Sequence, residues 1–174
     1  MSGHNKWSQI QRQKGASDGK RSQLFGKLSR MISAQVRLAK GDKNAVAVRS
    51  AIEKARAADM PVDTIERAVS KATESKDLET IHYEAYGPGG VGIIIEALTD
   101  SRNRAAQEIR HILDKNGSAL GSIGSVMWSF QKIDNELRPT MTIPLGDEDA
   151  KLLERLIDEL EENNEVQEVI TNAE

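Results

Sequence analysis

The chain has 174 residues, 24 Lys+Arg against 27 Asp+Glu, and a formal charge of −3. Leu, Ile, Val and Phe make up about 22% of it and aromatics 3%, so a packed core is possible but lean. The absence of cysteine excludes disulfides, thiolate metal sites and a cysteine nucleophile, and no apolar run reaches membrane-helix length.

The near-neutral total hides a division. Residues 1–76 carry 16 basic and 7 acidic groups, residues 77–174 carry 8 and 20. Residues 1–43 hold ten cations against Asp18 and Asp42. So many like charges repel one another, and a polyanionic partner would relieve the repulsion.

Residues 1–22 are polar and glycine-bearing and read as a basic N-terminal arm without the apolar centre of a signal peptide. Trp7 stands beside Lys6 with no core to enter. Its indole suits either stacking on an unpaired base or stapling the arm onto the domain that follows. Residues 23–76 are expected to form a helical domain. From Arg21 to Lys40, Leu24, Leu28, Met31, Ile32 and Val36 fall on one stripe, and Arg30 and Arg37 fall opposite it. A second helix over Ala45–Ala58 presents Val48, Ala51, Ile52 and Ala55, and Met60-Pro61 ends it. Asp63 and Glu66 have capping-box spacing for a third, with Ile65, Ala68, Val69 and Ala72 facing inward.

The polar stretch Thr73–Glu79 marks the boundary, and periodicity then changes from 3.6 to 2. Strands are expected at 80–86 and Val91–Leu98, joined by Gly87-Pro88-Gly89-Gly90. A helix over Arg102–Lys115, a glycine-rich connector Gly117–Gly124 and a strand at Val126–Gln131 follow. A polar turn, a short strand at Met141–Pro144, a helix over Asp147–Glu162 and a last strand at Glu165–Thr171 complete the pattern. The fold class is α+β: an N-terminal three-helix domain, then over residues 77–174 an α/β sandwich with a mixed sheet and two helices on one face.

No catalytic or metal motif is present, and His4, His82 and His111 lie far apart. No enzyme activity, cofactor, metal or small-molecule substrate is expected. Gly117, Gly121 and Gly124 could cradle a phosphate but lack the Lys-Ser/Thr of a P-loop, so turning the chain is their favoured role. Arg102 and Arg104 place two cations at a helix start against its dipole, a secondary anion site. The principal candidate site is nucleic-acid-binding: His4 and Trp7 on bases, Lys6, Arg12, Lys14, Lys20, Arg21, Lys27, Arg30 and Arg37 on phosphates.

These residues also carry a resemblance. Gly3-His4-Asn5-Lys6-Trp7, Asp18-Gly19-Lys20-Arg21, the Met60–Ala68 segment, Tyr83-Glu84-Ala85-Tyr86-Gly87-Pro88-Gly89-Gly90, Asp100-Ser101-Arg102-Asn103-Arg104, Gly121-Ser122-Ile123-Gly124-Ser125-Val126, Leu156-Ile157-Asp158 and Val166-Gln167-Glu168-Val169 stand in the order found in the YebC family. The resemblance implies a cytoplasmic, non-enzymatic protein that binds nucleic acid, with ribosomal RNA or tRNA and the ribosome favoured as partners and no membrane. Members were long labelled transcriptional regulators, so DNA is the alternative. Mitochondrial relatives resemble translational activators, and bacterial ones resemble ribosome-associated factors that relieve stalling. Typical members also insert a further domain where this chain has only residues 133–140.

Overall fold

The computed structural model describes residues 18–72, 78–134 and 136–174. They divide into two compact units that part near residue 80, one helical and one α/β, with the short segment Leu98–Asp100 grouping with the helical one.

The helical unit holds α1 (Asp18–Leu38), α2 (Val46–Ala57) and α3 (Val62–Lys71). Its core is the expected stripe without Leu24, which stays exposed in the first turns of α1: Leu28, Ile32 and Val36 of α1 meet Val48, Ala51 and Ala55 of α2, Ile65, Ala68 and Val69 of α3, and Ala72. The small residues let the backbones approach, and the Ser33 hydroxyl donates to the Ala68 carbonyl at 2.9 Å. Helix α1 begins three residues before the expected start, inside the segment read as an arm. The Arg21 guanidinium lies 5.6 Å from the centre of the Phe25 ring, an i,i+4 pair that favours the extra turn.

Helix α2 closes with Asp59 in the left-handed region (φ 57°) and the Met60 amide donating to Ala55 O at 3.0 Å. Met60 buries its side chain as it does so, and this hydrophobic contact completes the Schellman closure. The capping box at Asp63 does not form. Pro61 occupies the N-cap with φ −58°, no side chain caps the helix, and Asp63 sits within the first turn. Burial of Met60 and the fixed φ of Pro61 start the helix earlier than the Asp63–Glu66 spacing suggests.

The α/β unit contains β1 (Glu79–Tyr86), β2 (Gly92–Thr99), α4 (Arg102–Lys115), β3 (Ala119–Leu120), β4 (Phe130–Ile133), β5 (Glu136–Pro139), α5 (Asp147–Glu162) and β6 (Val166–Thr171). Four strands form a sheet in the order β3-β1-β2-β6, with β1–β3 and β2–β6 antiparallel. A mixed sheet was expected, but the strand pairings are antiparallel. The parallel pairing among the described residues is an isolated bridge outside the strands, Ile143 to Ala173, where a strand was expected over Met141–Pro144 and the chain makes a single bridge instead. Seven of the eight β2 residues are buried, because both faces of this central strand are covered. Ile93, Ile95 and Ala97 pack with Ile109 and Leu113 of α4 and Leu153, Leu156 and Leu160 of α5, so both helices share one core cluster. Ile94 joins Val126 and Phe130 in a separate one.

Helix α4 is capped by Ser101, whose hydroxyl accepts from the Arg104 amide at 3.5 Å. It ends at Gly117 (φ 68°), with the Ser118 amide on Leu113 O at 2.9 Å. The Asn116 amide, Lys115 and Arg155 converge on Glu159 and hold its carboxyl down to about 2, tying α4 to α5. The strand expected over Val126–Gln131 differs. Residues Met127–Ser129 form a 3-10 turn, and β4 then pairs with β5 as a separate hairpin, Phe130 opposite Pro139 and Ile133 opposite Glu136.

Candidate nucleic-acid interface

Residues 18–72 carry twelve Lys+Arg and six Asp+Glu. Nine of those cations are exposed: Lys20, Arg21, Lys40, Lys43, Arg49, Lys54, Arg56, Arg67 and Lys71. Lys27, Arg30 and Arg37 are half-buried, and Ala34 on the same side of α1 is buried. The face of α1 opposite its apolar stripe is therefore partly covered, and its cations stand at an edge rather than on an open outward stripe. The greater part of the exposed charge belongs to α2, α3 and their connections, which sequence reasoning left out of the site. The signal was there: Arg49 and Arg56 are seven residues apart and share a helix face. Lys43, Arg56 and Glu66 also line a groove of about 360 Å³ together with apolar Ile52, Val62, Ile65 and Val69.

His4, Lys6, Trp7, Arg12 and Lys14 lie outside the described residues. At the secondary site, Arg104 pairs with the carboxylate of buried Glu165. The negative charge needed at Arg104 thus comes from the chain itself. Arg102 is exposed, and its carbonyl accepts from the Tyr83 hydroxyl at 3.2 Å. His82 is exposed and meets Glu96 at 3.1 Å, and His111 is exposed on α4. Among the described residues no group of His, Cys, Asp or Glu could hold a metal ion, and no helix is long and apolar enough to cross a membrane.

The glycine-rich connector does cradle an anion, and that anion is internal. Buried Glu84 on β1 receives the amides of Gly124 at 2.6 Å, Val126 at 2.6 Å and Met127 at 2.8 Å on its carboxylate. Its carbonyl takes a fourth amide, from Gly121, at 2.7 Å. Burial opposes the charge, yet the three backbone donors together hold the Glu84 carboxyl below the usual carboxylate range. Gly124 (φ 84°) makes the bend possible. The same loop fixes two exposed rings: the Tyr86 hydroxyl and the Trp128 indole N–H both donate to Ser125 O at 2.8 Å. These convergent bonds were invisible in the sequence, where Glu84 and Val126 lie 42 positions apart.

Comparison with known proteins places these features in a family. Residues 5–75 match the TACO1/YebC protein N-terminal domain, and residues 78–135 match the TACO1/YebC second and third domain. A probable transcriptional regulatory protein of Petrotoga mobilis is 45% identical over 184 residues, covering 100% of this chain and 71% of that protein. One of the same description from Fervidobacterium nodosum is 51% identical over 136 residues, covering 76% of this chain and 54% of that one. This chain thus spans only about half the length of some curated relatives. The crystal structure of a conserved hypothetical protein from Aquifex aeolicus superposes with a TM-score of 0.84 at 29% identity, covering 97% of this chain and 96% of that one. With both halves matched in order and the fold shared, the chain belongs to the TACO1/YebC family.

Proposed function

We propose that this chain is a non-enzymatic RNA-binding translation factor that acts on the ribosome, activating translation or relieving stalling, in the cytoplasm. The observation that carries the reading is the excess of exposed cations on the helical unit, nine of them on 55 residues. Lysines and arginines spread over several helices attract a phosphate backbone of any sequence. They suit a large folded RNA whose shape supplies specificity. The role in translation is drawn from the family resemblance.

The second reading is a DNA-binding transcriptional regulator, favoured by the description of the relatives as probable transcriptional regulatory proteins. Against it, neither α2 nor α3 contains an Asn or Gln. Moreover α3 opens with Asp63 and Glu66, acids at the end where a recognition helix meets base edges. Competition between ribosomal RNA and a promoter duplex at moderate salt tests the choice, together with sedimentation of cell extract on a sucrose gradient. RNA preference and co-sedimentation with ribosomal fractions are expected. Preference for the duplex, with the protein absent from every ribosomal fraction, would establish the second reading instead.

A further inference from the structure

In the α/β unit, Trp128 is 68% exposed, Tyr86 45% and Ile123 99%. Large apolar groups this exposed are unfavourable in water unless a partner covers them. The two rings are not loose. Their polar atoms both end on the Ser125 carbonyl, and Ser125 is held between Gly124 and Val126, whose amides are fixed on Glu84. With both donors occupied, the rings offer their faces, their apolar edges and the Tyr86 oxygen as an acceptor.

Charge identifies the occupant. Residues 77–174 carry 20 acidic groups against 8 basic, which repels polyanions, yet the fourteen residues Ser118–Gln131 contain no charged side chain. Exposed Lys132 follows directly. An uncharged aromatic surface, followed four residues along the chain by an exposed cation, suits a nucleobase better than a charged group. A rigid platform also loses little conformational freedom on binding.

We propose that Tyr86 and Trp128, brought together on the Ser125 carbonyl, form a stacking platform for unpaired bases of RNA. The platform rests on the RNA-binding reading and deepens it: the helical unit holds backbone, and this loop selects single-stranded over paired segments.

The test measures affinity in the unaltered full chain and its Trp128 variants; for the emission readout alone, Trp7→Phe leaves Trp128 as the only tryptophan. Binding of a short labelled oligoadenylate is followed by anisotropy, and contact with the platform by indole emission. The expected result is quenching of Trp128 on binding, an affinity about ten-fold weaker or more in Trp128→Ala, and recovery of most of it in Trp128→Phe. Paired RNA of the same length should lose less. Because Trp128 is exposed, urea unfolding should be little changed in these variants, which separates lost contact from lost fold. RNA that binds without quenching, and binds Trp128→Ala as tightly, overturns the platform while sparing the proposed function. No binding of any RNA overturns both.

Discussion

At Glu84 two opposed effects meet: burial disfavours the charged carboxylate, and three backbone amides favour it. The amides prevail, and this makes a chemical prediction. Glu84→Gln replaces the accepting oxygen pair by one oxygen and an NH2 group that faces N–H donors. We expect a loss of about 1–3 kcal/mol in urea unfolding at pH 7. The sign of the pH dependence follows from the depressed folded-state pKa. The carboxylate's stabilisation is present above the ordinary value of 4.5 and disappears as pH falls through the lower folded value. The difference between Glu84→Gln and the parent should therefore be constant near neutrality and narrow in acid below pH 4.5. A gap that stayed constant into strong acid would mean that the charge is not what holds the loop. Gly92 shows the same economy of space: a Cβ there would stand 2.6 Å from Val126 Cγ1, so Gly92→Ala should cost about 1–3 kcal/mol in the same assay.

Among the elements, the three helices of the basic unit offer a graded prediction. Each cation that contacts phosphate contributes about one counterion to the salt dependence of binding. Arg49→Glu with Arg56→Glu should weaken RNA binding several-fold and flatten the slope of log K against log salt by about two. An unchanged slope would remove α2 from the interface. Periodicity made α1 to α3, the β1–β2 hairpin, α4, α5 and β6 legible, because each buries a continuous stripe or an alternating face. What escaped the sequence depends on groups that meet only after folding. The 3-10 turn at Met127–Ser129 stands where Glu84 holds the amides, and the β4–β5 hairpin crosses a segment read as a polar turn because its exposed face is polar. Within the candidate site, the cations of α1 were legible by count. Their half-burial was not, since the helical pattern of α1 records one packed face and gives no sign that Ala34 is buried on the other.

For the molecule as a whole, charge is sorted by unit: the cations gather in the helical part and the acids in the α/β part. A polyanion should therefore associate with a rate that falls steeply with ionic strength, as measured by stopped-flow mixing with RNA over a salt series. The β4–β5 hairpin adds an architectural consequence. Ile133 and Glu136 stand opposite each other in the β4–β5 register, and the chain leaves Ile133 through Asp134 in the left-handed region (φ 50°). Two chain ends so close together on an exposed rim are a ready splice point. A whole folded module whose own ends lie side by side could be threaded in there, at a loop-closure cost of about 0.6 kcal/mol per doubling of length, without moving a single buried isoleucine.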